Sequence, residues 1–184
     1  MKKKCFILCY DHSKIAKSIR EMTFGIEDGL ISILGLVAGV TGANVSNNFI
    51  VLAGVAGMIP AAISMASGVY LSNKSQKEYL ETKFKKNKLE GIISNPLRDA
   101  LVIGISFIIA GWIPIIPFLF FVPKFALAVA FGLTIIALFV YGASRSHYTK
   151  ENWFRSGIEM VGVSIASAAA GYLVGYLFKF WFGV

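Results

Sequence analysis

The chain has 184 residues, 56% of them hydrophobic and only 15% charged, with a formal net charge of +8. Soluble domains run nearer 45–50% apolar and about 25% charged, and the excess here is concentrated in runs without Asp, Glu, Lys or Arg: Gly29 to Asn73, Ala100 to Pro123, Phe125 to Ser144 and Met160 to Phe178. This excludes an ordinary cytosolic enzyme, a disordered chain and a disulfide-rich secreted domain, and leaves an all-α polytopic membrane protein.

Residues 1–23 read as a cytosolic N-terminal segment. Its apolar run from Cys5 to Tyr10 is too short for a secretory signal core, and no small-residue cleavage site follows. Cys5 and Cys9, with Asp11 and His12 just beyond, match no strong zinc spacing and read as free thiols. Ser13 to Glu21 is expected to form a short interfacial helix, with Ile15, Ala16 and Ile19 towards lipid and Lys14, Lys17 and Arg20 towards water.

Residues 24–184 read as a five-helix transmembrane domain. A span needs about 20 mostly apolar residues, so the first charge-free run holds two. They are split at Thr41–Asn48, a cluster of turn formers. The expected helices run from Phe24 to Asn44, Asn48 to Asn73, Leu97 to Phe121, Lys124 to Ser144 and Trp153 to Phe182, with a short basic cytosolic loop at about 74–96. The runs are too long for barrel strands and lack period-two alternation.

Basic residues flanking the spans set the orientation. Six precede the first helix, seven lie between the second and third, and three between the fourth and fifth; the opposite ends carry only Lys124 and Lys179. The N-terminus is therefore expected in the cytosol and the C-terminus outside or in an organelle lumen. The positive charge is mostly topology, with attraction to the bilayer's anionic headgroups as an added effect; no nucleic-acid partner is expected.

Ionisable groups inside spans are costly and therefore functional candidates. Glu27 and Asp28 lie near the cytosolic end of the first helix, Asp99 at the start of the third and Glu159 in the first turns of the fifth. Asp99, with Asn95 and Arg98, reads as a helix-start cap, and Glu159 has Arg155 one turn earlier as a partner. Asp28 has no basic residue at i±3 or i±4. It heads a helical face of Asp28, Ser32, Gly35, Gly39 and Gly42, and the second helix carries Gly57, Ala61, Met65, Gly68 and Ser72 on one face. If these stripes face each other, a carboxylate and a thioether flank one path, a donor pair suited to a borderline transition metal such as Fe²⁺. Met58 and Met160 are further sulfur candidates. The chain has no H-E-x-x-H, G-x-S-x-G or paired intramembrane aspartates, so no enzyme is expected.

The block from Phe24 to Val40, containing Asp28-Gly29-Leu30-Ile31-Ser32 and Gly35-Leu36-Val37-Ala38-Gly39, resembles the first helix of the vacuolar iron transporter family. Ala62 to Ser72, with Ser64-Met65-Ala66-Ser67-Gly68, resembles its second helix; Gly111 to Phe118 resembles the exit of its third; and Arg155 to Met160 resembles its fifth. The resemblance implies a five-helix homodimer that exports Fe²⁺, and often Mn²⁺, from the cytosol in exchange for protons. The path would run at the dimer interface, lined by the first two helices. The metal is the transported substrate, and no resident cofactor is implied. The host membrane would be the cell membrane in a prokaryote and the vacuolar membrane in a eukaryote. The family's first-helix aspartate falls on Asp28, its second-helix methionine on Met65, and an earlier acid on Glu21; Glu27 and Glu159 complete the candidate metal set. The chain departs from plant-type members at Gly57, where they carry a glutamate, and in its short basic segment between the second and third helices. Other members have Gly-Glu-Tyr where this chain has Gly68-Val69-Tyr70. These departures leave a second expectation open, a membrane protein of the same fold with another substrate or no transport.

Overall fold

The structure is a computed structural model. It describes the backbone of residues 2–83, 95–149 and 152–182, and side chains within 19–83, 95–144 and 152–181 except Ser156 and Glu159. The Cys5–His12 cluster lies outside the described side chains. All described elements are helices: α1 (Lys2–Gly42), α2 (Asn47–Lys83), α3 (Pro96–Ile115), the single turn α4 (Pro117–Phe120), α5 (Pro123–Thr149) and α6 (Trp153–Phe182). Among the described residues five stretches are long and apolar enough to cross a membrane: Ile19–Gly42, Asn47–Lys83, Pro96–Phe120, Pro123–Ser144 and Trp153–Trp181.

Four boundaries differ from the sequence expectation by several residues; one is the end of α5, which continues past Ser144 to Thr149. The expected interfacial helix does not stand apart; α1 is one helix of 41 residues, about 60 Å long at 1.5 Å per residue. That is twice a hydrocarbon core of about 30 Å, so its N-terminal half lies beyond the span. Likewise α2 continues to Lys83, so the expected loop begins as helix. Both extensions leave the same end of the bundle because α1 and α2 run antiparallel. The third expected helix is broken at Ile116, since Pro117 has no N–H to continue the ladder.

The α1–α2 turn falls where Gly42, Ala43 and Asn44 place it. Asn44 adopts the left-handed conformation at φ 64°, which Asn tolerates better than most residues, and its N–H donates to the Thr41 carbonyl at 2.9 Å.

α1 is central, packed between α3 and α6, with α2 on the outer side of α3 and α5 against α6. Its core is Leu34, Val37, Ile50, Met58, Phe107, Ile115 and Phe118, all buried. The outer surface is apolar: Phe180 is 78% and Trp181 79% exposed, and Leu101, Ile105 and Ile109 form an exposed stripe on α3. A surface of this kind is stable only in lipid.

Candidate metal path between α1 and α2

Glycines fix how α1 sits. A Cβ on Gly25 would lie 2.5 Å from the Ile103 carbonyl oxygen, and one on Gly29 2.5 Å from that of Phe107. This face is locked against α3. On the α6 side, a Cβ on Gly171 would lie 2.2 Å from the Gly35 oxygen, and one on Gly175 1.8 Å from the Gly39 oxygen. Two backbones approach here as only glycine permits.

This corrects the expectation that the Gly35, Gly39 and Gly42 stripe faces the small-residue stripe of α2. α6 covers it within the same chain. The reason lies in α6, whose Ser167, Gly171 and Gly175 recur at matching spacing; the Ser167 hydroxyl also donates to the Ile31 carbonyl at 3.3 Å. Met58 and Met160, the further sulfur candidates, lie in the apolar core. Met58 is buried with its sulfur beneath Gly111, and Met160 is buried with Leu30, Ile31, Ala110 and Leu138. Both fill apolar space, the commoner use of Met.

With two sides of α1 occupied, one line is left open. Asp28 is half-buried, while Ser32 and Leu36 are exposed. The Ser32 hydroxyl donates to Asp28 Oδ1. Asp28 makes no other hydrogen bond or ion pair among the described residues, and half-buried Glu27 makes none. Glu21 is different. It is 3% exposed and takes an ion pair from the neighbouring Arg20, whose Nε–H donates at 3.0 Å.

Met65 stands half-buried on α2 against the edge of the core. Its depth follows from helix register. Leu36 Cδ2 lies 2.6 Å from where a Gly57 Cβ would stand, so these residues mark the α1–α2 contact. Asp28 is eight residues from Leu36, and Met65 eight from Gly57, both in the cytosolic direction of the expected topology. Each is thus about 12 Å along its helix from the contact, and the two share a depth. α1 and α6 run parallel, with Gly39 beside Gly171; the same offset sets the Glu159 backbone level with Glu27. The Glu159 side chain lies outside the described residues.

No group of three or more His, Cys, Asp or Glu side chains gathers as a metal site among the described residues. What one chain places here is Asp28 with the Ser32 hydroxyl on it, on the open line of α1, and Met65 on α2 at the edge of the core.

Sequence reading missed one polar pair. Asp99 does not cap α3. Asn95 does, its side chain accepting from the Leu97 N–H at 3.2 Å. Asp99 instead accepts from Asn73 Nδ2 at 2.9 Å, tying α2 to α3, with Asp99 2% and Asn73 8% exposed. An Asn at the end of an apolar run was the available signal, but only the fold shows what it meets.

Known proteins resemble the chain along this whole frame. The model of the VIT family matches residues 19–94 and 86–176. The chain is 32% identical to an uncharacterized protein of Methanocaldococcus jannaschii, over 84% of this chain and 87% of that one. It is 25% identical to vacuolar iron transporter 1 of Arabidopsis thaliana, over 86% of each, and 26% identical to vacuolar iron transporter 1 of Eucalyptus grandis, again over 86% of each. The chain belongs to the VIT family, and so to a family of multi-pass membrane transporters rather than enzymes.

Proposed function

We propose that the chain moves a divalent transition metal, Fe²⁺ first and Mn²⁺ second, out of the cytosol in exchange for protons. The observation that carries this reading is the half-buried Asp28 at the depth of Met65 on the open α1–α2 seam. The names of the plant relatives support iron as the cargo. A carboxylate holds either a metal ion or a proton, which is the elementary step of exchange. The thioether adds preference for softer ions over Mg²⁺ and Ca²⁺. Ser32 orients the carboxylate as an outer partner orients a ligand.

A homodimer completes the site in this reading. Two copies of Asp28 and Met65 would supply two oxygens and two sulfurs, where one chain offers only one of each. The small, exposed side of α2, with Gly68 and Ser72, supports a second copy beside this seam, because helices in lipid associate through close packing.

A second reading, the same fold without metal transport, draws on Gly57. Leu36 fills the space where a side chain at 57 would begin, so the seam lacks an acid there.

Proteoliposomes with an imposed pH gradient test both. Asp28→Asn keeps the shape and removes the charge. It should lower Fe²⁺ flux by more than roughly 100-fold, since even outer partners of metal ligands are worth about 10–100-fold. Normal flux in Asp28→Asn would overturn the site assignment. Wild-type flux at background for Fe²⁺ and Mn²⁺ would favour the second reading.

A further inference from the structure

The end of the bundle opposite the cytosolic extensions bears only two basic side chains, Lys124 and Lys179. They lie 55 residues apart on different helices, yet both line one cavity of about 660 Å³ between the ends of α1, α5 and α6. That volume lies within the range of small-molecule sites. The segments forming it carry no Asp or Glu: there is none from Gly29 to Asn73, from Ala100 to Lys150 or from Met160 to Val184. Neither lysine makes an ion pair among the described residues.

Helix electrostatics account for one lysine and not the other. Lys179 is in the last turn of α6, where the helix dipole favours a cation. Lys124 is the second residue of α5, where the same field opposes one. An anion placed there would be favoured by the helix start and by both ammonium groups. The rest of the cavity is amphipathic. Tyr172 and Tyr176 add aromatic rings with polar tips, the pattern of a membrane interface. Phe131, Ile165 and Ala169 continue it as an apolar floor, so a small hydrated anion would leave most of it unfilled.

We propose that this cavity holds an anionic lipid, its phosphodiester between Lys124 and Lys179 and an acyl chain along the floor lined by Phe131, Ile165 and Ala169. The charge selects phosphatidylglycerol-like lipids over zwitterionic ones. The site clamps α5 to α6 and to the end of α1, where the central helix leaves the bilayer.

The test uses the full-length protein purified in mild detergent. Phosphatidylglycerol, phosphatidylcholine and inorganic phosphate are added separately, with bound lipid read by native mass spectrometry and stability by thermal unfolding. The wild type should retain phosphatidylglycerol over phosphatidylcholine and unfold at higher temperature with it. Lys124→Gln with Lys179→Gln should weaken that binding by about tenfold or more, whereas Lys74→Gln with Lys77→Gln at the other end should not. Lys124→Arg with Lys179→Arg should retain it, showing that the charge and not the fold was lost. Ala169→Trp, which fills the floor, should reduce lipid binding with both lysines present. Equal binding by the wild type and the Lys124→Gln, Lys179→Gln variant would overturn the proposal. Stabilisation by inorganic phosphate equal to that by phosphatidylglycerol, with Ala169→Trp without effect, would also overturn it, since the occupant would then be a free anion.

Discussion

α1 meets α6 and α2 along two seams built on different principles. Against α6 the contact is backbone on backbone, with Gly35 and Gly39 facing Gly171 and Gly175 so closely that a Cβ would overlap the opposing carbonyls. Against α2 the helices touch near Leu36 and Gly57 and leave Asp28 half-buried and Ser32 exposed. Among the described residues the first seam carries Ser167, whose hydroxyl is satisfied by the Ile31 carbonyl. Beside the second lies a half-buried carboxylate, Asp28, whose one described side-chain partner is the Ser32 hydroxyl. A small-residue stripe in a membrane helix thus has two uses, and only the partner helix says which applies.

The largest effect should come from breaking the first seam. Gly175→Leu would drive a side chain into the Gly39 backbone, which cannot rotate away. It should cost about 3 kcal/mol or more, at the upper end of overpacking, read as lost thermal stability in detergent and low yield of folded protein. A stable Gly175→Leu variant would mean that α6 does not sit on α1 as described.

Next comes the chemistry of the second seam. Met65→Leu keeps the volume and removes the sulfur. It should lower Fe²⁺ flux several-fold, while any Mg²⁺ leak and the unfolding temperature stay near wild type, because Met-for-Leu exchange costs little in packing. An equal loss for both ions would make Met65 a packing residue.

The smallest effect on the single chain is expected at Gly68, where a Cβ meets nothing within 4 Å. Gly68→Leu should leave monomer stability within about 1 kcal/mol, the scale of helix propensity, yet weaken dimerisation measured by cross-linking or light scattering. An unchanged dimer would move the interface away from this part of α2.

Much of the fold was legible in the sequence. Charge-free runs longer than a bilayer requires, broken by turn formers, lead directly to five spans, and Trp153–Phe182 has the expected bounds. The boundaries that differed did so for definite reasons. Charged residues outside the bilayer do not stop a helix, so α1 and α2 continue past it. Pro117, in contrast, does break one.

The candidate site was legible only as residue types. Asp28 and Met65 follow from the rarity of acids in apolar runs and from the family-like blocks around them, both properties of the linear chain. Which stripe packs on which helix does not follow, because Gly35, Gly39 and Gly42 would serve equally well against α2, α6 or a second copy. The choice was made by Gly171 and Gly175, 132 and 136 residues from Gly39 and therefore invisible to any local pattern. The pairing of Asn73 with Asp99 and the meeting of Lys124 with Lys179 are of the same kind. Composition and periodicity determine that a segment crosses the membrane and which side chains are costly there; the packing of distant helices alone decides which of them are covered, which are paired and which stay open.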